Sequence, residues 1–205
     1  MISWIVATND PTILMQNLVS SLWILDDLVV VEDPPSIAAA YNEGQRKAIH
    51  PLKVYVHHDV QVLDLPRLRA ELLEHVTPER GMVGLIGSRT DRLPWWDGDL
   101  LGSVFDQRIG HLDNGPGGEC AQLDGVLLAT VQDVTWDESI PGFHGYDYDM
   151  CRQMSERGLP NWCLTGGKEM VRHNTTSGRD PDHLTGWVEA LSRLREKWGG
   201  QDHLG

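Results

Sequence analysis

Three short segments of the chain carry histidines or carboxylates at spacings that can do chemistry. The first is His57-His58-Asp59, which closes the apolar run Leu52 to Val56. Side chains alternate along an extended chain, so His57 and Asp59 share one side while His58 points to the other. An imidazole and a carboxylate so disposed make half of a divalent-cation site, in the manner of a D-x-D element whose first aspartate is histidine. Carboxylates alone would favour hard Mg²⁺, and the imidazole shifts the preference toward softer ions such as Mn²⁺. A solvated turn at a strand end uses the same residue types, so the reading needs a third ligand. His173, in Val171-Arg172-His173-Asn174, is the candidate. The remaining segment runs from Gly142 to Cys151 and puts Asp147 and Asp149 at a helix start. The helix macrodipole by itself favours acids there. The rings of Phe143, His144, Tyr146 and Tyr148 among them add desolvation, which raises a carboxylate's pKa and makes it a better proton acceptor near neutrality.

These residues need elements to hold them. Ile2 to Ala7 reads as a strand that stops at Thr8-Asn9-Asp10-Pro11, followed by a helical pattern at Ile13, Leu14, Leu18 and Leu22. Leu28 to Val31 reads as a buried strand ending at Glu32-Asp33, and Ser36 caps a helix reaching about Ile49. The third strand ends at His57. A helix over Arg67 to Val76, strands over Met82 to Ile86 and Gly125 to Thr130, and a long functional loop over residues 90–120 come next. Asp147 to Arg157 reads as a helix, Asn161 to Thr165 as a last strand and Trp187 to Trp198 as an amphipathic helix. Strands alternating with helices predict a parallel sheet, whose ligands gather at the carboxyl ends of the strands. Those ends are polar and mostly acidic: Thr8-Asn9-Asp10, Glu32-Asp33 and His57-His58-Asp59.

Composition removes several function classes. With 17 basic and 30 acidic residues the formal charge is −13, spread over both halves, so nucleic acid and anionic membranes gain little attraction. The 3 cysteines show no C-x-x-C spacing, which argues against a disulfide framework or cysteine-bound zinc and for a reducing, cytoplasmic setting. The first residues carry no basic leader and no apolar run of membrane length. Gly166-Gly167-Lys168 lacks the flanking residues of a P-loop, and neither G-x-G-x-x-G after the first strand, H-E-x-x-H nor G-x-S-x-G occurs. The 8 tryptophans against 4 tyrosines and 2 phenylalanines suggest a use beyond core filling. Trp95, Trp96 and Trp136 lie outside the long apolar runs and offer indole faces for another use.

Taken in order, Ala39-Ala40-Tyr41-Asn42-Glu43-Gly44, Val54-Tyr55-Val56-His57-His58-Asp59-Val60, Leu123-Asp124-Gly125-Val126, Trp136-Asp137-Glu138, Gly142 to Asp149 and Val171-Arg172-His173 resemble the GT-A glycosyltransferases of the family 2 type. Within these the likeness is to a small bacterial and phage subgroup related to a streptomycin-biosynthesis protein. The resemblance implies a single α/β domain with a Rossmann-like, mostly parallel sheet flanked by helices. Residues 1–89 would form the nucleotide-sugar half, 90–180 the acceptor and catalytic half, and 181–205 a C-terminal helix. It implies a UDP-, GDP- or dTDP-sugar donor, contacted by Thr8, Asn9 and Asp33, with Asn42 beside the donor and Asp124 near the sugar. His57 and Asp59 would stand as the D-x-D element and, with His173, hold Mn²⁺ or Mg²⁺. Asp147 would be the general base of an inverting transfer, Asp149 the second choice, and Trp95, Trp96, His144 and Tyr146 would meet a hydroxyl acceptor.

Two other classes fit the same residues less fully. A non-catalytic nucleotide-sugar binding module would share the fold. A nucleotidyltransferase would need a Gly-rich loop with basic residues after the first strand, and Ala7 to Thr12 offers none. A hydroxymethylated base of phage DNA as acceptor would require Arg89, Arg92 and Arg108 to form a local basic groove against the overall charge. Neither membrane attachment nor a homodimer is written into the sequence.

Overall fold

The structure is a computed structural model that describes residues 1–22, 27–91, 98–175 and 181–199, the side chains of 181–184 excepted. Strand β1 (Ile2–Thr8) is buried throughout, Ser3 and Thr8 included, as a central strand covered on both faces must be. It leads into α1 (Pro11–Leu14), where Asp10 Oδ1 accepts the Thr12 and Ile13 N–H groups, and the helix continues through a π-helical turn, Met15–Val19. Strand β2 (Asp27–Glu32), helix α2 (Ile37–Lys47, capped by Ser36) and strand β3 (Leu52–His57) follow. Then come β4 (Val60–Val62) and α3 (Leu65–His75), whose cap is Asp64. A run of strands succeeds them: β5 (Val83–Gly84), β6 (Ile86–Ser88), β7 (Leu100–Asp106), β8 (Gly110–Asp113), β9 (Gly118–Cys120), β10 (Gln122–Leu123) and β11 (Leu127–Thr130). The last described elements are α4 (Tyr146–Glu156), β12 (Asn161–Cys163), α5 (Gly167–Met170), β13 (Val171–His173) and α6 (Pro181–Trp198).

The strands form two sheets. The larger has the order β2-β1-β3-β11-β5-β12-β9, and the smaller β10-β6-β7-β13-β4, with β8 paired to β7. The alternation of β1 divides the interior. Ile2, Trp4 and Val6 join one apolar cluster with α1, α3 and the smaller sheet, while Ile5 and Ala7 join another with α2 and α4. The α/β class with helices flanking a sheet is as the sequence predicts, but the sheet is mixed, not mostly parallel. Strands β1, β2 and β3 are parallel neighbours, whereas β11 runs antiparallel to both β3 and β5. Parallel neighbours need a crossover, usually helical, and between β5 and β11 the described residues contain no helix.

The stretch 90–120, read from sequence as a loop, contains β7, β8 and β9. Strand β7 is buried almost continuously rather than on alternate residues, and Gly102, Gly110 and Gly118 break the pattern with positive φ. A period of two is therefore absent. The run Met82 to Ile86 also divides, β5 entering the larger sheet and β6 the smaller. Among the described residues no helix is long and apolar enough to cross a membrane, and the 3 cysteines are free and buried.

Candidate functional site

Strand β3 delivers His57 to the carboxyl edge of the larger sheet, and the turn after it holds His58 and Asp59 before the chain re-enters the smaller sheet as β4. The register of β13 brings in the distant partner. His173 lies opposite Val60 on antiparallel β4 and beside Asp106 on parallel β7, and the Asn174 N–H donates to the Asp59 carbonyl at 2.9 Å. Two residues 116 apart in sequence are thereby in contact: His57 Nδ1 lies 3.4 Å from His173 Nε2. Asp59 Oδ1 stands 3.3 Å from the same His173 nitrogen. One donor atom from each of His57, Asp59 and His173 falls within 4.8 Å of the others. Ligands on one ion at bond lengths of roughly 2.0–2.2 Å stand roughly 2.8–3.6 Å apart, so both close spacings admit a shared ion.

The outer contacts decide which atoms face inward. The Tyr146 hydroxyl donates to the Gly125 carbonyl at 3.3 Å and lies 2.7 Å from His57 Nε2. With its proton on the Gly125 carbonyl the phenol oxygen can accept from Nε2–H, the tautomer that leaves the lone pair of His57 on Nδ1. His173 Nδ1 meets Asp106 Oδ2 at 3.0 Å, and a carboxylate there holds the proton on Nδ1 and directs the Nε2 lone pair at His57. Arg108 grips Asp106 with Nε on Oδ1 at 3.2 Å and Nη2 on Oδ2 at 3.0 Å. Two lone pairs and a carboxylate oxygen thus converge. Asp59 Oδ1 is buried with no hydrogen-bond donor aligned to it among the described residues. Such a set is stable around a cation and costly without one. Burial would lower the His173 pKa, but its hydrogen bonds to Asp106 and Asp59 raise it to about 9. Burial and the neighbouring charge of His173 hold His57 down to about 4. Asp59 and Asp106 lie below the ordinary carboxylate range, because His173, joined by Arg108 at Asp106, outweighs the opposing effect of burial.

The acidic pair on α4 divides between two tasks. Asp147 Oδ2 accepts the Gly125 N–H at 3.0 Å and Oδ1 accepts the Tyr148 N–H at 2.9 Å, so the carboxylate is held at the helix start. Burial, then repulsion from Asp124, raises its pKa to about 7. Asp124 is itself oriented by the Val126 N–H, 3.0 Å from its Oδ1. Asp149, 1% exposed, faces the other way. It accepts from Lys197 Nζ, Trp198 Nε1 and Gln153 Nε2, which ties α6 to α4.

The other residues singled out from sequence have these positions. Thr8 is buried, with Oγ1 2.8 Å from His58 Nδ1 and accepting the Asp10 N–H. Asn9 and Asp33 are exposed at the ends of β1 and β2, joined where the Asp33 N–H donates to the Thr8 carbonyl at 2.9 Å. Asn42 is buried with its amide engaged: Nδ2 donates to the Trp136 carbonyl and to Glu138, and Oδ1 accepts the Trp136 N–H. Trp136 is 1% exposed among Tyr41, Tyr55 and Tyr146, closed to any sugar. His144 stands edge-on to Trp187. Trp95, Trp96 and Arg92 lie outside the described residues. Arg89 pairs with Asp99 and Arg108 with Asp106, so the two described members of the suggested basic groove are each neutralised. Sequence reasoning missed Asp106. The signal was an acid at the end of Val104-Phe105-Asp106, hidden because the segment read as a loop.

Over residues 11–178 the sequence matches the family described as a glycosyltransferase like family. No curated protein matches the chain. Among solved structures it is similar to A197 from STIV, at 11% identity and a TM-score of 0.46, over 80% of this chain and 81% of that one.

Proposed function

Because the chain belongs to the glycosyltransferase-like family, we propose that it moves a sugar from a nucleotide-diphospho-sugar to a hydroxyl acceptor with a divalent cation, on a GT-A scaffold. The observation that carries the metal-dependent reading is the convergence of His57 Nδ1, His173 Nε2 and Asp59 Oδ1 on one point, with Tyr146 and Asp106 holding the opposite nitrogens. These three residues fit a dication of the Mn²⁺ or Mg²⁺ kind, which when bound offsets charge on the departing diphosphate. Residues 1–89 serve the donor: Thr8, Asn9 and Asp33 at the ends of β1 and β2 face the nucleoside, and Asp124 lies toward the sugar. Asn42 serves indirectly, by holding Trp136 and Glu138 against α2. Residues 90–180 serve the acceptor, His144 with Trp95 and Trp96 among them.

Asp147 is the general base. Its raised pKa suits a group that must take a proton near neutrality, and the two backbone donors fix its direction. The acceptor hydroxyl gives its proton to Asp147 as its oxygen bonds to the anomeric carbon. The bond from that carbon to the diphosphate oxygen breaks on the opposite face, and the configuration inverts. Asp149 takes no part, since all its partners lie in α4 and α6.

The test is nucleotide release, followed by mass spectrometry, from UDP-, GDP- and dTDP-sugars with and without Mn²⁺. Release that depends on the ion and is lost in Asp147→Asn supports the proposal. Donor binding without release, indifferent to Asp147→Asn, would make the protein a binding module instead.

A further inference from the structure

We propose that the centre selects a first-row transition dication over Mg²⁺, and that Tyr146 and Asp106 are the positioning residues that make it selective. The inference rests on the metal-dependent reading above and concerns which ion this chain takes. Two of its three donors are imidazole nitrogens and only one is a carboxylate oxygen. Mg²⁺ is held by oxygen ligands and keeps its waters, whereas imidazole binds the later first-row ions with affinity rising along the series from Mn²⁺ through Co²⁺. Histidine at position 57 also removes one negative charge from the inner set. That loss weakens a purely electrostatic site more than one bonded through nitrogen.

Nitrogen donors select only if their lone pairs are aimed. At His173 the aim comes from Asp106, 3.0 Å from Nδ1 and itself clamped by Arg108. At His57 it comes from Tyr146, where the sequence resemblance had suggested an acceptor contact. Tyr146 is 4% exposed, and its hydroxyl is spent on His57 Nε2 and the Gly125 carbonyl. The space it occupies is kept by Gly125: a Cβ at that position would overlap the Tyr146 hydroxyl. A carboxylate in place of the phenol would draw a proton toward itself and add charge, whereas the neutral phenol holds the imidazole in one tautomer. Tyr41 and Trp136 pack against the ring and keep it in place, with Tyr55 behind both.

The experiment is direct ion binding to chelator-treated protein, with Mn²⁺ followed by loss of its free-ion electron paramagnetic resonance signal and Mg²⁺ and Co²⁺ as competitors. The expected order is Mg²⁺ weakest, then Mn²⁺, then Co²⁺, with Mn²⁺ at least about tenfold tighter than Mg²⁺. Tyr146→Phe and Asp106→Asn should each weaken Mn²⁺ binding about 10–100-fold. His57→Asp should narrow the gap between Mn²⁺ and Mg²⁺. The ¹⁵N spectrum of the histidine rings should lose the Nε2–H tautomer of His57 in Tyr146→Phe, a change that a packing role alone would not produce. If Tyr146→Phe does not fold, Asp106→Asn carries the test. Equal affinity for Mg²⁺ and Mn²⁺, or unchanged Mn²⁺ binding in both positioning variants, would overturn the inference. If nucleotide release stays metal-dependent in that case, sugar transfer stands without it; selective ion binding with no donor turned over would mean the reverse.

Discussion

Asp147 and Asp149 sit two residues apart on the first turn of α4, and the structure gives them opposite surroundings. Asp147 meets Asp124 and two backbone N–H groups, and its pKa rises to about 7 through burial first and the Asp124 charge second. A proton acceptor must be ionised to act. Transfer should therefore be slow below that value and rise with pH through about 7, the limb disappearing in Asp147→Asn. That variant should lose about 10²–10⁴ in turnover while keeping donor affinity, as rate and binding measurements on one preparation would reveal. Unchanged turnover would remove Asp147 from the chemistry. Histidines 57 and 173 make the same point about environment: one is held at about 4 and the other raised to about 9, although both are imidazoles at adjoining strand ends.

At the scale of elements, two packing relations support the site. The turn before β11 and helix α4 meet where Gly125 leaves room for the Tyr146 hydroxyl. Gly125→Ala should cost about 1–3 kcal/mol by overpacking and also weaken Mn²⁺ binding, since the displaced phenol no longer holds His57. Denaturant melts and ion titration on the same variant would read both effects. The second relation joins α4 to α6. Asp149 is buried against Lys197 and Trp198, and Lys197 keeps Asp137 as another partner at 2.7 Å. Asp149→Ala should cost about 2 kcal/mol and leave Mn²⁺ affinity as it was. A loss of ion binding there would contradict the separation of the two acids.

At the scale of the whole molecule, a bound ion would link the sheets. His57 belongs to the larger, His173 and Asp106 to the smaller, and Asp59 to the turn between β3 and β4. A ligand held by both stabilises the fold that brings them together, by about 2.7 kcal/mol at a hundred times its dissociation constant. Thermal melts with Mn²⁺ should shift upward in the natural chain and not in His173→Ala. A shift that survives His173→Ala would place the ion elsewhere. The large negative charge also acts at this scale. Asp59, Asp106 and Asp124 all act on the histidine pair, and Arg108 offsets part of their charge through Asp106.

Much of this protein is legible from local pattern. Apolar runs mark β1, β2 and β3, Ser36 is a recognisable helix cap, and the short spacing of His57 and Asp59 keeps them together, although Asp59 lies in the turn after β3 and not on the strand. These properties depend on neighbours within a few residues, so the chain's own order contains them. What only the tertiary structure decided depends on register between distant strands. The β4–β13 and β7–β13 pairings set His173 between Asp59 and Asp106, the antiparallel entry of β11 makes the sheet mixed, and the seat of Tyr146 against the Gly125 turn brings its hydroxyl to His57. No periodicity encodes these contacts. They follow from how two sheets bury their apolar faces together, which fixes the polar strand ends relative to one another.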